Sequence, residues 1–168
     1  MFIFAFLKTK ITMKYTLIAL VFTLFISCKK DNTEVTPTET IDYVAKNDQE
    51  IVDYVAKNKL TATKTDSGLY YIINEPGTGK QPTASSNVTV AYKGYFTNGS
   101  VFDQSDAAGI SFGLNQVIKG WTEGIPYFKE GGSGVLLVPA HLGYGNNATG
   151  PIPAGSVILF DVKLIKVN

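Results

Sequence analysis

The hydrophobic rhythm of the chain changes near Leu69. Before it, IDYVAKN from Ile41 is echoed by VDYVAKN from Val52, eleven residues on. Eleven residues make about three helical turns. Tyr43 and Tyr54 therefore fall on nearly one face, as do Val44 and Val55, and Ala45 and Ala56. The spacing predicts a helix that Thr40 or Asp42 caps and Asn58 ends, within a helical extension over residues 41–64. Such a helix either packs on the domain that follows or offers a dimerising stripe. One repeat pair is too short for a coiled coil, which favours packing. From Leu69 the pattern becomes one of strands. LYYIIN is rich in aromatic and β-branched residues, and EPGTGKQP after it is a turn-rich loop. VTVAYKGYF (Val88 to Phe96) alternates Val88, Val90 and Tyr92 against Thr89, Ala91 and Lys93, and Asn98-Gly99 signals a hairpin or bend after it. VLLVP (Val135 to Pro139) is a short apolar strand, and SVILFDVKLIKV (Ser156 to Val167) puts Ile158, Phe160, Val162 and Leu164 on one face. Between strands, VIKGWTEGIPYFKEG holds one short helix across Trp121, which Pro126 interrupts unless it falls in a first turn or at an end. The sum is an α+β domain over residues 66–168, an antiparallel β-sheet packed on one short α-helix, with an N-terminal helical extension.

The head of the chain carries a different pattern. The apolar run from Tyr15 to Ile26 falls short of the about 20 residues a spanning helix needs. It follows Lys14 and ends in FISC at Cys28, the order of a secretory signal. The lone Cys at the cut makes residues 1–27 resemble a bacterial lipoprotein signal, with Phe25 where that motif usually has Leu. Met13-Lys14 opens a signal of more usual length than Met1 does. The alternative is a plain secretory signal with an incidental Cys. Lipidation of Cys28 would anchor the rest of the chain outside the cytoplasm, on the periplasmic side of a bacterial membrane or at the cell surface, because each buried CH₂ contributes about 0.8 kcal/mol. Residues 28–40 hold polar residues and Pro37 without apolar period, as a flexible tether does.

Composition narrows the function. Of 168 residues, 15 are Lys or Arg and 14 Asp or Glu, so the net charge of +1 lacks the basic footprint of a nucleic-acid binder. Every one of those cations is Lys, which cannot grip phosphate or guanine in two places as Arg does. One Cys excludes an internal disulfide, and one Cys with one His excludes a Cys/His zinc site in a single chain. His141 has no nucleophile at motif spacing, and no G-x-S-x-G elbow occurs. GTGK at Gly77 lacks phosphate-loop spacing, with Gln81 where the hydroxyl residue belongs. No metal or cofactor is expected.

What stands out instead is a series of aromatic segments: VAYKG, FDQS, FGLNQVIKGW, LGYG, GPIP and LFDV. In this order and spacing they make residues 66–168 resemble the FKBP-type peptidyl-prolyl cis-trans isomerases, VIKGWTEG (Val117 to Gly124) being the most specific piece. The resemblance implies a sheet wrapped around the short helix and a ring-lined pocket. Tyr92, Phe102, Phe112, Trp121 and Phe160 would form its walls and floor, with Trp121 beneath the prolyl ring. Val117 and Ile118 would form one side, and Asp103 would put a carboxylate at the rim. Tyr144 would offer its hydroxyl, and Ile152 its backbone N–H, to substrate carbonyls. Asp103, Tyr144 and Tyr92 are thus the candidate catalytic residues. Three departures stand out: Asn115 where the family usually has Gly, no Arg to pair with Asp103, and a short loop from Ser105 to Ile110 of unassigned contact. The implied partners are unfolded or partly folded proline-containing polypeptides, with macrolide affinity left open. The implied reaction is rotation about Xaa-Pro bonds in exported proteins. The rival is a non-catalytic chaperone or assembly module holding proline segments in the same cleft.

Overall fold

The computed structural model describes residues 43–168. The signal, the tether, Cys28 and the capping candidates Thr40 and Asp42 lie outside the described residues. Helix α1 spans Tyr43–Lys57. Its end is set by hydrogen bonds from the Leu60 N–H to the Val55 carbonyl and from the Lys59 N–H to the Ala56 carbonyl, with Lys59 left-handed at φ 54°. Asn58 adds a side-chain bond back to the Tyr54 carbonyl at 2.8 Å. This closure ends the helix beside Asn58, where the sequence predicts its end, so the helix fills only part of the extension over residues 41–64. Thr63–Lys64 instead form strand β1, paired with β2.

The remaining strands are β2 (Tyr70–Glu75), β3 (Asn87–Phe96), β4 (Val101–Gln104), β5 (Ile110–Gly113), β6 (Ser133–Val138) and β7 (Ile158–Val167). All pairings are antiparallel, in the order β1-β2-β6-β7-β3-β4, with β5 also on β3. The Asn98-Gly99 bend joins β3 to β4, Gly99 taking φ 87° as its missing Cβ allows. Helix α2 covers Lys119–Gly124. Pro126 sits at the start of a 3-10 turn, Ile125–Tyr127, that closes α2, so it interrupts nothing.

Alternation along the strands splits the apolar residues between two faces. Val88, Val90, Leu136, Val138, Ile158, Phe160, Val162 and Leu164 meet Trp121 and Ile125 in the main core. Leu137, Leu159 and Tyr70 point the other way and meet Ile51 of α1 and Val157 in a second, smaller core. The sheet is therefore covered on both faces, and the repeat-bearing helix uses its Tyr43, Asn47, Ile51 and Tyr54 side for packing while Val44 and Val52 stay exposed. Among the described residues no helix is long and apolar enough to cross a membrane.

Candidate active site

Trp121 organises the site. It sits in the middle of α2, 5% exposed. A helix this short is held by its surroundings. The Thr122 hydroxyl donates to the Leu114 carbonyl at 2.6 Å, tying α2 to the preceding 3-10 turn, Leu114–Gln116. Around the indole the rings meet edge to face: Tyr92 at 5.1 Å and 82°, Phe160 at 5.1 Å and 84°. Phe112 lies 5.3 Å away, and Phe102 meets Phe160 at 5.8 Å and 87°. Gly94 makes that floor fit, because a Cβ there would stand 2.7 Å from the Phe102 ring and 2.9 Å from Phe160.

The rings do not close on themselves. They leave an open cavity of about 470 Å³, lined by Tyr92, Phe102, Asp103, Phe112, Val117, Ile118, Trp121, Tyr144 and Phe160, joined by Ile110 and Gln116. Every residue placed in the pocket by resemblance is there except Ile152. That side chain is buried, outside the lining, and its N–H already donates to the Thr149 carbonyl at 3.0 Å. The expected donor role for Ile152 is thus corrected: a loop bond occupies it. The Ile118 N–H stands free instead. It belongs to the residue that precedes α2, where helix geometry supplies no acceptor, and no bond takes it among the described residues. Ile110 and Gln116 were missed in the sequence. Ile110 shares a strand face with Phe112, two residues on, but that period shows only once β5 is known to exist.

The three departures resolve locally. Asn115 lies in a 3-10 turn with no left-handed backbone, so no glycine is needed there. The partner that Asp103 lacks in Arg is the Tyr92 hydroxyl, which donates to its Oδ2 at 2.5 Å. The loop from Ser105 is pinned to β3: the Ser105 N–H donates to the Tyr92 carbonyl at 3.0 Å, and the Tyr92 N–H to the Ser105 hydroxyl at 3.0 Å. Burial first, then the bond to Asp103 and its charge, push the Tyr92 hydroxyl up to about 12. Burial of the Tyr144 hydroxyl and the charge of Asp103 raise Tyr144 as well. Both phenols therefore remain protonated donors at neutral pH. The indole Nε1 of Trp121 is buried without an acceptor.

The lining contains no Ser, Thr, Cys, His or Lys. An apolar cup lined by two phenols and a carboxylate can hold a small ring and orient a flanking amide, without covalent or proton-transfer chemistry. Fold and cup together define a small α+β domain with an open aromatic pocket. Residues 78–165 match the family model for the FKBP-type peptidyl-prolyl cis-trans isomerases, and the chain belongs to that family. It is similar to the FKBP-type peptidyl-prolyl cis-trans isomerase FkpA of Buchnera aphidicola subsp. Schizaphis graminum, 44% identical over 109 residues that cover 63% of this chain and 43% of that protein. The FkpA of Escherichia coli K12 is 42% identical over 113 residues, 66% of this chain and 42% of the relative. The match thus spans less than half the length of these curated relatives. Among solved structures, the crystal structure of FkpA from Escherichia coli superposes with a TM-score of 0.62 at 36% identity, covering 74% of this chain and 63% of that one. A peptidyl-prolyl cis-trans isomerase from Pseudomonas syringae pv. tomato gives 0.67 at 28% identity, covering 75% and 93%.

Proposed function

We propose that this protein is a peptidyl-prolyl cis-trans isomerase that accelerates rotation about Xaa-Pro bonds in unfolded or partly folded polypeptides. The observation that carries the reading is the open, ring-lined cavity of about 470 Å³ over Trp121, in a chain of this family. The imide bond has partial double-bond character and a rotation barrier of about 18–20 kcal/mol, so uncatalysed exchange takes tens to hundreds of seconds. Conjugation is lost at the twisted transition state, and the carbonyl becomes less polar. Water favours the planar, polarised ground state, and a dry aromatic cup withdraws that advantage. The prolyl ring rests on Trp121 between Tyr92, Phe112 and Phe160. The Tyr144 hydroxyl and the Ile118 N–H bond the flanking carbonyls, and Asp103, steadied by Tyr92, sets the rim charge. Donors fixed before the substrate arrives favour the twisted geometry over the planar one.

The address at the chain's head supports a place for this work outside the cytoplasm, on exported proteins, with the domain tethered through a lipid on Cys28. Mass spectrometry of the membrane-extracted protein is expected to find a diacylated or triacylated Cys28 as the first residue; an unmodified or uncleaved N-terminus rejects the anchor. For the activity, the protein is mixed with a Xaa-Pro peptide and exchange is followed by NMR or a protease-coupled assay. Acceleration over the uncatalysed rate is expected. Measurable peptide affinity without acceleration would replace the isomerase with a proline-segment-binding chaperone using the same cleft.

A further inference from the structure

Helix α1 touches the segment that carries Tyr144, and Asn47 makes its hydrogen bonds there. Asn47 is 0% exposed, in the middle of an otherwise solvated polar stretch. Its Oδ1 accepts from the Ala140 N–H at 2.8 Å, and its Nδ2 donates to the Gly155 carbonyl at 2.9 Å. Ala140 and Gly155 bracket the segment that carries Tyr144. Within that segment the Gly145 N–H donates to the Ala140 carbonyl at 2.7 Å, and the Gly155 N–H to the Gly145 carbonyl at 3.0 Å. These four bonds close a ring that runs from Asn47 to Ala140, Gly145, Gly155 and back to Asn47. Gly145 is the residue next to Tyr144, so the ring passes one peptide away from a hydroxyl-bearing residue of the pocket.

The geometry of the ring suits an amide. Its carbonyl oxygen and its NH₂ stand side by side on one planar end, so one side chain accepts from the Ala140 N–H and donates to the Gly155 carbonyl at the same time. An aliphatic residue would leave both backbone groups buried and unpaired. A carboxylate would set an oxygen against the Gly155 carbonyl. Tyr43, one turn before Asn47, lies over the same corner: a Cβ on Gly155 would stand 1.8 Å from its ring. Residue 155 and helix α1 are thus fitted to each other. The other restraints on the segment lie away from Tyr144: Leu142 and Ile152 are buried in the main core, His141 bonds the Ser67 carbonyl, and the remaining bonds are short-range. Beyond the 3-10 turn Ala140–Leu142 it holds no helix or strand up to Ile158, only an isolated bridge between Thr149 and Ile152.

We propose that Asn47 is a positioning residue of the pocket, holding the Tyr144 segment in its working place from outside the domain's own sheet. The proposal rests on the isomerase reading. A misplacement of about 1 Å costs up to about a hundredfold in rate, so loosening one link of the ring has a visible effect. Asn47→Ala and Asn47→Asp are expected to lower kcat/KM about tenfold and to speed amide hydrogen exchange over residues 143–152, while the emission of the single Trp stays native. Asn47→Ala buries no charge, so it keeps the test readable where Asn47→Asp does not fold. Asp48→Ala removes other α1 contacts, to Tyr70 and Lys64, and is expected to leave turnover unchanged. Because Asn47 acts through Tyr144, Asn47→Ala is expected to cost little in a Tyr144→Phe background. Full turnover with unchanged exchange in folded Asn47→Ala overturns the proposal, and so does the same loss in both backgrounds. No acceleration by the unaltered protein would remove the isomerase reading, and the exchange measurement then decides the clamp by itself.

Discussion

Tyr92 joins three environments in one side chain. Its ring meets Trp121 edge-on, its backbone is bonded to the Ser105 loop on both sides, and its hydroxyl holds Asp103. The upward displacement of its hydroxyl to about 12 has a consequence for stability. An unfolded tyrosine ionises near 10. Between that pH and about 12 the folded protein keeps a proton that the unfolded chain gives up, so the stability from this group is complete below pH 10 and is lost as pH rises through about 12. Denaturant titrations from pH 9 to 12 are expected to show a steep loss of stability in the unaltered protein and a shallower one in Tyr92→Phe. Tyr95, raised by burial and by its bond to Asp161, supplies part of the slope that remains. Equal slopes would contradict the assignment. At Asp103 the carboxylate is exposed, so its bond to Tyr92 adds little to stability. If the rim charge acts on substrate, Asp103→Ala is expected to lower kcat/KM by about tenfold or more, with little change in melting temperature because the carboxylate is exposed. A wild-type rate would remove Asp103 from the mechanism. Most of these residues were legible in the sequence because each stands inside an ordered motif. Ile152 was misread because a backbone N–H has no letter: its role depends on a turn that only coordinates show, and the turn had already used it.

At the scale of elements, the two helices are stabilised in opposite ways. The short α2 is buried at Gly120, Trp121 and Gly124, and its place is dictated by the core around it. The longer α1 reaches the sheet with Ile51, which is 0% exposed among Tyr70, Leu137, Val157 and Leu159. Truncating such a side chain costs about 2–5 kcal/mol. Ile51→Ala is therefore expected to lower the unfolding free energy on that scale, read by denaturant titration. A loss under about 0.5 kcal/mol, the usual range for surface sites, would mean that α1 does not pack on the sheet in solution. The longer strands were readable from alternation: Ile158, Phe160, Val162 and Leu164 do share one core. The elements that escaped notice were β1, of two residues, and β5, of four, while the Asn98-Gly99 signal pointed to the hairpin whose second strand is β4. Pairing with β2 and β3, not local pattern, makes these short pieces strands. The packing face of α1 was equally hidden. The repeat drew attention to Tyr43 and Tyr54, while the most buried polar residue between them, Asn47, has no apolar signature at all.

At the scale of the whole molecule, the proposed reaction asks for no proton, electron or group to move, and the pocket lining agrees with it. No His, Cys or Lys enters its lining. The one His, His141, bonds the Ser67 carbonyl at 2.8 Å instead of facing the cavity. The molecule's charge is nearly balanced at +1, so long-range steering of a neutral peptide has little to work with. Catalysis by dryness and preorganised donors then predicts a rate with few chemical handles. For an uncharged Xaa-Pro peptide, kcat/KM is expected to stay flat from about pH 6 to 9, where an unperturbed His would titrate but no lining group of that kind exists. It is also expected to change by less than about twofold between low and high salt, because screening acts only on charges that steer. Rates in H₂O and D₂O are expected to agree closely, since no proton is in flight at the barrier. A bell-shaped pH profile or a large solvent isotope effect would show that a proton does move. The cup would then be a scaffold for acid–base chemistry, and the reading of Tyr92 and Tyr144 as neutral donors would have to give way.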